Sequence, residues 1–308
     1  MGDNSRRLAG LRKNLHRRAV IVDIIRAFFK ERDFLEVETP VRVPAIAPEP
    51  YILPFRSEGW FLSTSPELHM KRLLAAGYER LFQFSRCFRR GERGRLHNPE
   101  FTMLEWYRAG ADYNDILGDI EELLATLLEK LRLNKTIEYR GIKIDIEPPW
   151  PRVAVSEAYV RSAGWDPVAV FDSLRFDTDF VTKVLPALAP DRPTILTDYP
   201  AALASLARLK PGDSGVAERA EVFIGGLELA NAYSELVDAA EQERRFREAI
   251  EQIRRENRQP PPVSREFLEA VRLLPPCGGV ALGIDRLVML LCDAASIDEV
   301  MAFTVDTA

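Results

Sequence analysis

Arg80-Leu81-Phe82-Gln83-Phe84-Ser85-Arg86-Cys87-Phe88-Arg89 and Pro99-Glu100-Phe101-Thr102-Met103-Leu104-Glu105-Trp106-Tyr107 are the two runs whose reading decides the fold. Both are rich in aromatic residues and alternate with the period of two that marks a strand. The polar, glycine-containing segment Arg90 to Asn98 joins them, so the pair reads as an antiparallel hairpin with a long tip. Alternation places Gln83, Ser85, Cys87 and Arg89 on one face of the first strand, and Phe101, Met103, Glu105 and Tyr107 together on its partner. Such a face offers a forked donor for phosphate, a stacking surface and a carboxylate for a cation. On the hairpin alone a plainer reading stays open, in which Phe101 and Met103 are core and Arg89 pairs with Glu105.

Upstream, Ser65-Pro66-Glu67 has the form of a helix start, running through Leu68 to Ala76 and stopped by Gly77, which puts Glu67 at a helix N-terminus. Phe34 to Thr39 alternates like a strand and ends at Pro40, and Leu8 to Glu31 carries apolar residues at helical steps. Downstream, Asp115 to Leu133 reads as a packing helix and the segment from about 134 to 190 has weak signals. Thr194 to Thr197 is strand-like, Gly225-Gly226 after Val222 to Ile224 suits a tight hairpin turn, and Glu241 to Arg258 and Phe267 to Leu274 read as helices. Gly278-Gly279-Val280-Ala281-Leu282-Gly283 is a small-residue strand that would let a ligand approach the backbone, and it feeds an apolar helix with Arg286 at its start. Mixed strands, hairpins and helices without repeated β-α-β units point to an α+β architecture, an antiparallel sheet flanked by helices. Neither G-x-x-x-x-G-K-[ST] nor a strand-borne G-x-G-x-x-G is present.

The chain has 308 residues, 46% hydrophobic and 29% charged, the balance of an ordinary globular protein. Forty-two basic against 47 acidic residues, net charge -5, disfavour a partner held mainly through nucleic-acid phosphates, so tRNA is not the expected partner. Cys87, Cys277 and Cys292 form no C-x-x-C pair, which leaves a disulfide framework or structural zinc without support. No apolar run reaches membrane-spanning length and Met1 to Arg18 is polar and basic, so the sequence predicts a cytoplasmic protein with no membrane partner.

Taken together, the hairpin and the Gly278 to Arg286 segment resemble the second and third signature motifs of class II aminoacyl-tRNA synthetases. Phe34 to Pro40 resembles the first, a dimer-forming helix-strand-proline unit. The likeness covers about Leu8 to Asp306. Thr64-Ser65-Pro66-Glu67-Leu68, Asp198-Tyr199-Pro200 and Gly283-Ile284-Asp285-Arg286-Leu287-Val288-Met289 are similar to the lysine branch. That branch carries an anticodon-binding OB domain before the first motif, whereas only a few residues precede it here, so one catalytic domain over residues 1–308 without an OB domain is expected. The string His97-Asn98-Pro99-Glu100-Phe101-Thr102-Met103-Leu104-Glu105-Trp106-Tyr107-Arg108 resembles the elongation factor P lysine ligase family.

The resemblance implies activation of lysine or β-lysine by ATP and magnesium, transfer to a lysine of elongation factor P, and a homodimer. It implies Arg89 on the α-phosphate, Arg286 on the γ-phosphate and Phe101 stacked on adenine. Gly91, Glu92, His97, Asn98, Leu229 and Gly283 would line the nucleotide, and Glu221 with Glu228 would hold magnesium, Glu228 also touching ATP. Ser65, Glu67, Glu105, Tyr107, Asn231 and Glu235 would hold the amino acid, with Ala281 on the pocket floor where the tRNA synthetases usually have glycine. Glu228 and Glu235 are an odd number of residues apart, so a bulge or the strand's end must intervene for both to reach one site. Two positions depart from the family pattern: Gly91 stands where an acid follows the motif-two arginine, so that either Glu92 substitutes through the loop or ATP binding is weakened, and Ala232 replaces a glycine. The rival readings are a truncated lysyl-tRNA synthetase acting on tRNA and a catalytically silent paralogue.

Overall fold

A computed structural model describes residues 3–308; Met1 and Gly2, the start of the polar N-terminal segment, lie outside the described residues. The chain divides into two compact units, Met1–Ala109 with Val237–Pro275 and Leu282–Ala308, and Gly110–Leu236 with Pro276–Ala281.

The first unit is built on the predicted hairpin. Arg80–Phe88 and Glu100–Ala109 pair antiparallel in unbroken register, from Arg80 opposite Arg108 to Phe88 opposite Glu100. Its apolar face is covered by the helix Arg12–Lys30, which buries Ile21, Ile25, Phe28 and Phe29. Phe29 stacks on Phe82 at 4.7 Å and tilts against Trp106 at 5.2 Å. Each such buried aromatic contributes about 1.5–3 kcal/mol, and an offset pair about 1 kcal/mol more. Covering one face in this way leaves the Gln83–Glu105 face for chemistry.

Two expectations are corrected here. The Leu8 to Glu31 helix is interrupted at Leu11 into Asp3–Gly10 and Arg12–Lys30, next to Gly10, a poor helix former. The Phe34 to Thr39 strand shrinks to Leu35–Glu36, paired parallel to Leu81 and Phe82, with one further bond from Val37 N–H to the Phe82 carbonyl before Pro40. The last helix, Ile284–Cys292, packs against the Glu100–Ala109 strand and is pinned through Asp285, which is 2% exposed. Its carboxylate takes the Arg18 guanidinium at 2.6 Å and the Thr102 N–H at 2.8 Å. That lock fixes Arg286, the next residue.

The second unit is a meander in which Thr194–Pro200, Asp213–Ile224 and Leu227–Ser234 run antiparallel, with Arg152–Ala154 joined in parallel at its edge. The predicted Gly225-Gly226 turn has φ of +58° and +78°, and a Cβ on Gly225 would lie 2.9 Å from Ile144 and Tyr139. The helix Tyr113–Lys130 starts at Asp112 with a capping box and buries Ile116, Ile120, Leu123, Leu124 and Leu127 as its spacing predicts. Gly278 is required by that packing, since a Cβ there would meet Ile116 at 2.6 Å and the Asp112 carbonyl at 2.7 Å. The weak segment holds the hairpin Thr136–Tyr139 and Ile142–Asp145 and the helices Val155–Ala163 and Ser173–Asp179, gathered on Tyr159 and Phe176. Among the described residues no helix is long and apolar enough to cross a membrane.

Candidate active site

In the first unit the polar hairpin face carries two groups of residues. At its loop end the Arg89 guanidinium lies 5.2 Å from the Phe101 ring centre, and its buried Nε has no hydrogen-bond partner. Gly91 sits at φ +88°, a left-handed turn that a glutamate would enter only with strain, and the following Glu92 comes within 3.8 Å of Arg89. The acid beside Arg89 is thus Glu92, one residue beyond the position of the family's acid. Arg286 donates through Nε to the Leu96 carbonyl at 3.4 Å, and its Nη2 is 2.5 Å from His97 Nε2. Burial, and then the Arg286 charge, hold the His97 imidazole below its ordinary pKa, with Arg89 adding to the effect. Both guanidinium groups thus act on one imidazole, and a neutral ring can accept the Arg286 N–H. Asn98 is 5% exposed and spends its amide on the chain, donating to the Glu100 carbonyl at 2.5 Å and accepting from Val305 N–H at 3.0 Å. It anchors the loop end. Gly283 caps the last helix with open space around it, the Arg286 side chain being nearest to a virtual Cβ at 3.9 Å.

Further along the same face Glu105 is 1% exposed. Ser65 Oγ donates to its Oε1 at 2.6 Å and Tyr107 OH to its Oε2 at 2.7 Å. The plainer pairing of Glu105 with Arg89 is not formed. Burial, reinforced by the charge of Glu67, pushes the Glu105 carboxyl up to about 7. The same environment raises the Cys87 thiol to about 12, burial first and Glu105 next, so that thiol is no nucleophile. Ser65 also accepts the Glu67 N–H at 3.0 Å, and the helix runs Glu67–Ala75. Glu67 takes the fully buried Lys71 ammonium at 2.5 Å, a partner that the i,i+4 spacing could have announced.

In the second unit Glu221 stands opposite Asn231 in register and is held at both oxygens. Arg219 Nη2 donates to Oε1 at 2.6 Å and Tyr199 OH to Oε2 at 2.6 Å. The Arg219 guanidinium is sandwiched, 4.7 Å from the Tyr199 ring and 5.8 Å from that of Tyr233. Tyr199 follows Asp198, which has φ +58° and stands opposite two residues, Glu218 and Arg219, where the register shifts. Burial and the charge of Glu221 raise the Tyr199 phenol above its ordinary pKa, and Glu228 adds to the effect; Glu228 faces Phe223 in register, two residues along from Glu221 on the neighbouring strand. Asn231 donates to Tyr233 OH at 3.1 Å and leaves its Oδ1 buried and unbonded. A register shift falls where Val222 faces Ala230 and Phe223 faces Glu228, with buried Leu229 as the extra residue, and the strand ends at Ser234, one residue before buried Glu235. Both interruptions that the odd spacing allowed are present. Ala281 is half-buried on Cys277–Gly283. Arg219 and Tyr199 escaped the residue-by-residue reading because their roles depend on cross-strand register.

Residues 5–307 match the family described as tRNA synthetases class II (D, K and N). A Klebsiella pneumoniae (strain 342) protein named elongation factor P--(R)-beta-lysine ligase is 41% identical over 317 aligned positions, covering 96% of each chain. One of the same name from Salmonella arizonae is 39% identical with the same coverage. With a match that runs through both units and relatives aligned nearly end to end, the chain belongs to the class II tRNA synthetase family.

Proposed function

We propose that this chain activates lysine or (R)-β-lysine with ATP as an aminoacyl-adenylate and transfers the acyl group to a lysine side chain of elongation factor P, the substrate in its relatives' name. The observation that carries the amino-acid part is Glu105, a buried acid whose hydrogen-bond partners are neutral hydroxyls. A buried carboxylate without a cation is costly, and a substrate ammonium removes that cost.

The amino-acid carboxylate attacks the α-phosphorus, the bond to the β-phosphate oxygen breaks and pyrophosphate leaves; the acceptor amine, having lost a proton, then takes the acyl carbon and AMP departs. No protein nucleophile is needed, and catalysis rests on positioning and charge neutralisation. Arg89, with its unbonded buried Nε, suits the α-phosphate. Arg286 suits the γ-phosphate, Phe101 the adenine, and neutral His97 holds the Arg286 fork. Magnesium is typically bound by one or two carboxylates together with substrate phosphates, and supplies charge neutralisation of the triphosphate when bound. Among the described residues no cluster of three or more His, Cys, Asp or Glu could hold a metal unaided, and Glu221 with Glu228, two acids on paired strands, would supply the carboxylates that such shared ligation takes. A homodimer belongs to this reading; Val20, Leu35 and Val41 of the helix-strand-proline unit are each more than 40% exposed.

Incubation with ATP, labelled β-lysine or lysine, and either elongation factor P or bulk tRNA tests the proposal. Label should enter elongation factor P; label entering tRNA and not the protein overturns it.

A further inference from the structure

Gln83 is 4% exposed, lies directly opposite Glu105 in the hairpin register and points to the same face. Its Oε1 is shut off from solvent and bonded to nothing. A buried acceptor left unmade costs about 1–3 kcal/mol, so such an atom asks for an explanation. Opposed residues of an antiparallel pair hold their Cβ atoms about 5 Å apart, which brings the amide within reach of whatever Glu105 binds. The rest of that face sharpens the demand. Ser65 and Tyr107 already spend their hydroxyl protons on Glu105, and Lys71 is drawn onto Glu67. What that face lacks is thus a countercharge for the Glu105 carboxylate and a donor for the neighbouring Gln83 amide oxygen. An ammonium carries three N–H donors and no acceptor, and matches that pair.

We infer that Gln83 is a further substrate-binding residue, its Oε1 accepting a hydrogen bond from the same substrate ammonium that pairs with Glu105. This rests on the pocket reading given under the proposed function and adds to it a neutral second acceptor, which fixes the direction of the ammonium without adding another buried charge.

The test is Gln83→Met, of similar length and without the acceptor, in amino-acid-dependent pyrophosphate exchange with ATP and β-lysine, alongside thermal unfolding of the free protein. The KM for the amino acid should rise about tenfold or more, the loss expected for a hydrogen bond to a charged group. The KM for ATP should not move, and the unfolding midpoint should hold or rise, because an unbonded buried acceptor has been replaced by an apolar isostere. An unchanged amino-acid KM, or an equal rise in both KM values, overturns the assignment. Should Q83M fail to fold, Gln83→Glu carries the test: it keeps an acceptor in place, so its amino-acid KM above pH 7 should stay within about threefold of the parent, and a tenfold rise overturns the assignment. Glu105→Gln in the same assay separates the two levels. No change in amino-acid KM there overturns the pocket reading itself, whereas a rise in E105Q with none in Q83M overturns only the role of Gln83.

Discussion

Glu105 and Glu221 are both buried carboxylates with both oxygens hydrogen-bonded, but their partners differ in kind. Glu221 has a guanidinium sandwiched between two tyrosine rings and one phenol, so its countercharge is built into the chain. Glu105 has two neutral hydroxyls, while Lys71 pairs with Glu67. A carboxylate that is already neutralised is a fixed support, able to share a lone pair with a metal without moving. One left short of a cation is a receptor. The second type costs the free protein stability, which the ligand then restores.

The contrast is broken most strongly by removing the built-in countercharge. Arg219→Met should lower stability by about 3–5 kcal/mol, as expected when one partner of a buried pair is lost, read as a fall in the urea or thermal midpoint. A fall under 1 kcal/mol would place the Glu221 pair among weak surface bridges. Next is the pH dependence of the free protein. The carboxyl of Glu105 goes from an ordinary value of 4.5 when unfolded to about 7 when folded, so between those values the native state binds more protons. Stability contributed at that site is complete below pH 4.5 and is lost as pH rises to 7, a change on the order of 3 kcal/mol. Glu105→Gln should flatten that slope and be more stable than the parent at pH 8; a steep slope surviving in E105Q would assign it elsewhere. A smaller effect is expected at Ala281, where Ala281→Gly should shift the ratio of kcat/KM for β-lysine over lysine by about tenfold or somewhat more, one methyl discriminating by about 1–3 kcal/mol. The smallest is Tyr107→Phe, which should raise the amino-acid KM about fivefold and move its pH dependence upward, because one donor to the ionised carboxylate is gone.

The residues of this comparison were unequally legible in the sequence. The hairpin could be read because strand alternation is local, and alternation alone put Glu105, Tyr107 and Arg89 on one face. The Gly225-Gly226 turn and the strand-helix unit ending at Arg286 were likewise written in short-range signals. The Arg219–Glu221–Tyr199 arrangement was not, because it requires a register shift opposite Asp198 and a strand pairing whose partners alternation alone does not name. The edge strand Arg152–Ala154 was hidden for the same reason, being three residues long and paired to residues 195–197. Nothing in the sequence signals that the helix packed beside Gly278 leaves no room for a Cβ there. The two-residue Leu35–Glu36 strand shows that alternation predicts facing better than it predicts pairing length.

In the proposed function the substrate brings the cation that Glu105 lacks. Calorimetric titration of the protein with β-lysine at pH 6.5, in buffers of different ionisation enthalpy, measures the protons exchanged on binding. With the carboxyl at about 7 in the free protein, binding of the ammonium should release most of a proton, and E105Q should release none. Binding with no proton released from the parent protein, or the same release from E105Q, would contradict the account.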